Sequence, residues 1–415
     1  MARLRVNLCK ALAFGVLMFS IMPAATGQTY SMKILSRNAV EAGINSSGEV
    51  VGTLLKRGGP SRAFLWTKTT GIQDLGAIRG VGFATAINNS EQVVGWFGTP
   101  GAEEAFLWTQ ATGMQDLGFA GIPMAINDAG QIAGNYDGSN THAFFWTAAT
   151  GLQDIGTLGG CCTQAFGLNN SGQVVGWSRT ASADQHPFLW TQAGGMTDLG
   201  FEGQASAISK TGQVVGYYYN GYMDDRAFLW TATSGLQDLG TDNGYSSFAF
   251  SINDSGWVIG DADYFFLWSE STSLINLSQL TSSQVLNLRD VGISTINNAG
   301  QIATNAQLLN GEGVAALFTP IIGVSAVSSP NPSHVGQEYT VTATASSIQG
   351  PPPDGENIEF YNGKVLLGSA PMVAGVAQFT TSSAKPGKLH IKAVYSGDVN
   401  YDPSKPAAVT QVVFK

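Results

Sequence analysis

The sequence predicts an all-β chain: a seven-bladed β-propeller built from four-stranded repeats of about 40 residues, followed by an immunoglobulin-like β-sandwich. Three observations predict it. One motif recurs in fixed order as far as Pro320, each copy holds four short apolar runs, and the composition changes beyond that point. The clearest copy reads Ala84-Thr85-Ala86-Ile87-Asn88, then Gln92-Val93-Val94-Gly95, then Ala105-Phe106-Leu107-Trp108-Thr109, then Gln115-Asp116-Leu117-Gly118.

The repeat sets its own register. The Ile-Asn landmark, or its substitute, ends at Asn45, Asn88, Asn127, Asn169, Ser209, Asn253 and Asn297, at spacings of roughly 39 to 44 residues. Phe-Leu-Trp follows in step at Trp66, Trp108, Trp146, Trp190, Trp230 and Trp268, with Phe318 in the seventh copy. Asp-Leu-Gly closes the copies at Asp74, Asp116, Asp154, Asp198 and Asp238, decays at Asn276, and is absent after Thr319. Asn-x-x-Gly turns such as Asn169 to Gly172 join the first two runs, because Asn caps the backbone and Gly supplies a positive φ. Runs such as Val174-Val175-Gly176 and Phe188-Leu189-Trp190 do not alternate, which describes strands buried on both faces. Blades packed between blades bury strands in that way. The extra strand Tyr30 to Leu35 precedes the first copy, and the last copy lacks a strand, so pairing them leaves no open edge. The other architecture is an open solenoid of the same units, which would need polar caps at its ends.

Taken in order, residues 1–27 read as a signal peptide. Arg3, Arg5 and Lys10 form a basic start, Ala11 to Met22 is apolar, and Ala24-Ala25-Thr26-Gly27 offers small residues for cleavage. No other stretch is long enough to span a bilayer as a helix. Its removal leaves roughly 17 cations against 29 acids, so nucleic acid is excluded as a partner. Residues 28–320 form the repeat domain, 321–332 a Ser/Pro linker and 333–415 the second domain. Apart from Cys9, the cysteines are the adjacent Cys161 and Cys162. In an oxidising compartment they form either a vicinal disulfide or two free thiols.

The loop between the second and third runs varies most, from Trp177–His186 and Tyr217–Arg226 down to Asp261–Tyr264. Variable loops on a constant scaffold are where binding concentrates. Trp96, Trp177, Tyr217 and Tyr218 supply flat apolar faces there, with Asn135 and Asp261 as polar partners, a composition suited to sugars. Blade-edge packing is the alternative use of the same side chains. The recurrent Trp of Phe-Leu-Trp reads instead as core, and the recurrent Asp as a turn former. Asp224-Asp225 and Asp261-x-Asp263 are acidic pairs that could contribute to a Ca²⁺ site, although solvated loop acids explain them better. No other cofactor, metal or catalytic motif is indicated.

Beyond Pro320, Glu338 to Ser346, Ile358 to Leu367, Val376 to Thr381, Leu389 to Tyr395 and Ala408 to Phe414 alternate as half-buried strands of a sandwich without cysteine. The repeat Ala-Ile-Asn-x-x-Gly-Gln-Val-Val-Gly with Ala-Phe-Leu-Trp-Thr resembles the bacterial extracellular HAF family, whose triplet stands here as His142-Ala143-Phe144. The tail resembles the bacterial Ig-like repeat domain through Gly336-Gln337, Ile358 to Gly363 and Ala393 to Tyr401. These resemblances imply an exported protein without established chemistry, and a spacer or adhesion module behind it. Together the readings point to a secreted, non-catalytic binding or adhesion protein of the bacterial exterior, periplasm or cell surface, with a glycan or surface protein as partner. A structural matrix component and a polysaccharide-active lyase or hydrolase are the two alternatives.

Overall fold

A computed structural model describes residues 29–415, apart from 56–57, 138–140, 222–223, 242–243, 245, 282–284, 288–293 and 309. The signal peptide assigned to residues 1–27 therefore lies outside the described residues. Among those described there is no α-helix, and one 3₁₀ turn spans Leu277–Leu280.

Six four-stranded antiparallel sheets follow one another, each with its strands in chain order. The first contains Ala39–Ile44, Val50–Leu54, Arg62–Thr67 and Gly71–Gly76. The second contains Phe83–Ile87, Val93–Thr99, Ala102–Thr109 and Gly113–Ala120. The third to sixth open with Ile122–Ile126, Gly159–Leu168, Gly203–Ile208 and Phe248–Ile252. The fold is all-β and propeller-like.

Local chemistry explains why each copy takes this shape. In the second sheet, Asn88 Oδ1 accepts from the Ser90 and Gln92 backbone N–H groups at 3.0 and 2.9 Å, fixing the first hairpin. The Gly of Val-Val-Gly makes room for the Phe of Phe-Leu-Trp. A Cβ on Gly95 would lie 2.7 Å from Phe106 Cζ, and one on Gly134 would lie 2.8 Å from Phe144 Cζ. The phenylalanines are fully buried as a result, each worth about 1.5–3 kcal/mol of apolar burial. The recurrent Asp bonds within its turn: Asp116 Oδ1 accepts from Gly118 N at 2.7 Å, and Asp198 Oδ1 from Gly200 N at 2.7 Å. Neighbouring sheets then share cores. Val51, Ala63 and Leu65 of the first sheet pack with Ala84, Val93 and Phe106 of the second. Trp66, Trp108, Trp190 and Trp268 are buried in such interfaces.

The last sheet has five strands. Val285–Asn287, Thr295–Ile296, Ile302–Leu308 and Gly313–Pro320 are joined by Tyr30–Ser36 from the other end of the chain. Tyr30 pairs with Pro320 and Ile34 with Ala316, with a bulge before Ser36. Its neighbour is the first sheet: Ala303, Ala315 and Leu317 share a core with Ala39, Val50, Phe64 and Trp66.

The remainder is a two-sheet sandwich, one sheet of three strands and one of five. Its core includes Tyr339, Val341, Phe360, Ile391 and Tyr395. One expectation is corrected here. Gly323–Ser329 is a strand paired along its length with Glu338–Ser346, whereas residues 321–332 were read as a linker. Its Ser and Pro content masks a period of two that turns Val324 and Ala326 toward the core. The sandwich also touches the ring. Gln349 Nε2 donates to the Tyr30 hydroxyl at 2.6 Å, and Lys68 Nζ donates to the Asp398 carbonyl at 2.7 Å.

Candidate functional site

The first strands of all the sheets surround a central channel, and its walls are built in tiers. At one end stand the landmark asparagines. Asn45 Nδ2 donates to the Asn88 carbonyl at 3.2 Å, Asn88 to Asn127 at 2.9 Å, Asn127 to Asn169 at 3.1 Å and Asn169 to Ser209 at 3.1 Å. Asn253 donates to Asn297 at 3.1 Å, and Asn297 to Asn45 at 2.9 Å. Ser209 has no amide; its hydroxyl turns to Thr211 instead. Outside this ring, Asn89, Asp128, Asn170, Asp254 and Asn298 surround a shallow cavity of about 180 Å³. Burial alone would raise the Asp128 carboxyl, but donors from the Asn89 backbone and from the Asn89 and Asn170 amides bring it below the usual range.

The next tier inward is apolar in every copy: Ile44, Ile87, Ile126, Leu168, Ile208, Ile252 and Ile296. Beyond it the channel widens into a cavity of about 490 Å³. Small residues such as Gly43, Ala86, Ala125 and Gly167 are followed by a tier that differs from copy to copy: Ala42, Thr85, Met124, Phe166, Ser206 and Phe250. The sequence reading passed over this tier. Its signal was present, as the one variable place two residues before the constant Ile or Leu.

The loops singled out from the sequence lie at the same open end, because each first strand runs toward the asparagines and the second runs back. The positions after Val-Val-Gly are distributed around several sheets and do not converge on one point. Trp96 lies flat on Phe83, with centroids 4.0 Å apart and planes at 12°. Asn135 is occupied by the next sheet: it donates to the Ala165 carbonyl at 3.1 Å and accepts from the Ala165 N–H at 2.8 Å. Tyr217 stands edge-on to Phe248 and donates to Gln204 Oε1 at 3.3 Å; burial first, then Tyr219, raises its phenol. Tyr218 donates to Asp238 Oδ2 at 3.1 Å. Trp177 is half-buried, as is Asp261. Trp96, Trp177 and Tyr217 belong to none of the hydrophobic clusters between sheets, whereas Tyr218 packs against one. A cavity of about 220 Å³ does unite Asn135 with Met124, Tyr136 and Gln164. Burial and then the Asp154 carboxylate push the Tyr136 phenol up to about 12.

Cys161 is exposed and Cys162 half-buried, both as free thiols on Gly159–Leu168. The strand's register is irregular between Gly159 and Thr163, the stretch that carries both cysteines. Its hydrogen bond to Cys161, then burial, raises the Cys162 thiol. Asp225 is held above its usual range by burial and then by Asp224. Among the described residues, no group of three or more His, Cys, Asp or Glu side chains gathers to hold a metal ion.

Comparison with known proteins adds the following. Residues 326–414 match the bacterial Ig-like domain (group 3) family. No curated protein matches the chain. A catalytically inactive virginiamycin B lyase from Staphylococcus aureus, with quinupristin, is similar at 8% identity and TM-score 0.48, over 70% of this chain and 100% of that one. A gluconolactonase from Xanthomonas campestris is similar at 10% identity and TM-score 0.39, over 69% and 88%. The extracellular domain of a putative hybrid two-component system from B. thetaiotaomicron is similar at 13% identity and TM-score 0.39, over 94% of this chain but 58% of that one. Each TM-score is below 0.5, so these likenesses carry no function to the chain.

Proposed function

We propose that the protein is an exported, non-catalytic binding or adhesion protein of the bacterial exterior, a seven-bladed ring of HAF type carried on an Ig-like module. Its ligand face is the end of the ring opposite the asparagines, and its partner is a glycan or a glycosylated surface protein. One observation carries this reading. Trp96, Trp177 and Tyr217 sit at the end that bears the most variable loops, half-buried and outside every hydrophobic cluster between sheets. Rings of that kind present a flat apolar face beside polar groups, which is how aromatic side chains meet sugars. Asn135, Tyr218 and Asp261 are polar neighbours on the same end, Asn135 with its amide already engaged.

The test is a glycan array probed with the secreted chain and with its Trp96→Ala, Trp177→Ala, Tyr217→Ala triple variant. Binding by the first and its loss, by tenfold or more, in a variant of unchanged melting temperature supports the reading. Equal signals from both chains, or none from either, would remove it.

A further inference from the structure

We infer that the central channel is a second ligand site, specific for an uncharged amphiphile whose aliphatic or aromatic body lies on the isoleucine tier. The cavity of about 490 Å³ falls within the size range of small-molecule sites, and its lining is mainly apolar. Three features select the ligand class.

First, Met124 and Phe166 face this cavity and belong to none of the hydrophobic clusters that hold the sheets together. Large apolar side chains left out of the core are available to a guest. Other copies place Ala42, Thr85 or Ser206 at the same tier, so the wall is bulky on one side and recessed on the other. An asymmetric wall fits a flat or extended body better than a round one.

Second, no charged residue is among the described lining residues, and the tier beneath is all isoleucine and leucine. A carboxylate or ammonium in this channel would lose its hydration with no charged lining residue among those described to pair it. Neutral ligands escape that cost.

Third, the polar groups present are few, and they are hydrogen-bonding rather than ionic. Thr85 Oγ1 already donates to the Val94 carbonyl at 3.2 Å, and Gln204 Oε1 accepts from Tyr217. Thr295 also lines the wall, with its hydroxyl oxygen buried and without a partner among the described residues. The channel site is distinct from the aromatic loop positions, so the two can be tested separately.

The full chain is titrated with an uncharged phenylnaphthylamine dye, whose emission rises in apolar surroundings, and then with dodecanol or dodecanoate as competitor. The expected result is saturable binding of one dye per chain, displaced at least tenfold better by dodecanol than by dodecanoate. Phe166→Ala is expected to weaken the dye by about tenfold or more, from lost apolar contact. Phe166→Asp should abolish binding with the melting temperature retained; if that variant fails to fold, Met124→Asp serves the same purpose. The Trp96→Ala, Trp177→Ala double variant, which leaves the Tyr217–Gln204 bond in place, keeps dye binding whatever its behaviour on glycans. Absence of saturable binding, equal competition by the two amphiphiles, or full binding by the Asp variant overturns the inference.

Discussion

The contact between the third and fourth sheets and the contact between the last and the first use the same kind of residue with different success. In the former, Asn135 reaches across with both ends of its amide and satisfies both backbone groups of Ala165. At the latter, Asn305 occupies the equivalent place and accepts from the Glu41 N–H at 3.1 Å. Among the described residues its Nδ2 is buried without a partner, and so are both carboxylate oxygens of Glu41. Other copies have Ala84, Pro123, Ala165, Ala205 and Ala249 where Glu41 stands. The contact between the third and fourth sheets is complete, while the one joining the two ends of the array carries groups without partners among the described residues. The seam has further contacts of its own. It has the strand Tyr30–Ser36, the Arg37–Glu312 ion pair and Lys33 over the Trp66 ring at 4.7 Å.

The strongest way to break the seam is to remove that strand. Deleting residues 29–36 strips a fully buried Tyr30 and one ladder from the last sheet. A loss of more than about 3 kcal/mol is expected, by analogy with large-to-small core changes. Denaturant unfolding of the truncated chain measures it.

Glu41→Ala should act in the opposite sense and depend on pH. Burial raises the Glu41 carboxyl well above its ordinary range, so folding favours the protonated form. The cost is absent below the unfolded value near 4.5 and grows as pH rises toward the folded value, by up to about 1.4 kcal/mol per pH unit. The variant is therefore expected to gain stability over the parent at pH 8 and to match it more closely at pH 4. Melting curves at the two pH values decide; an equal difference at both would contradict the assignment.

The smallest effects distinguish the two amides. Asn135→Ala leaves two backbone groups of Ala165 without partners and should cost about 1–3 kcal/mol. Asn305→Ala removes one bond but also one orphaned donor, and should cost less. Reversal of that order in chemical denaturation would mean that the seam amide is better satisfied than its geometry implies.

Much of this was legible in the sequence, and the reason differs by residue. The four runs per copy could be read because strands buried on both faces leave unbroken apolar words, such as Val93-Val94-Gly95 and Ala105 to Trp108. The turn role of Asp116 or Asp198 was legible because its partner lies two residues away. Asn88 was visible only as a landmark, since the carbonyl its side chain serves belongs to Asn127, and nothing local reports a lateral neighbour. The strand Gly323–Ser329 was hidden by composition, Ser and Pro outweighing the faint alternation of Val324 and Ala326. Glu41 passed unnoticed for a related reason: burial is a property of the neighbouring sheet, not of the residue. The Met124, Phe166 and Phe250 tier required knowing that first strands face a channel.

The ring of asparagine amides has a consequence for how such a chain can change length. Every amide points the same way round, from one copy to the next, and Asn297 donates to Asn45; the break is at Ser209, which has no amide to offer Asn253. Each link is specified by a side chain in one copy and a main-chain carbonyl in its successor, so it is indifferent to which successor is supplied. An in-register excision or duplication of any unit that carries the asparagine would bring a complete donor and a complete acceptor with it. The circuit therefore places no limit on the number of units. That limit comes from the angle between adjacent sheets, and from end residues such as Arg37 and Glu312 that must still find one another.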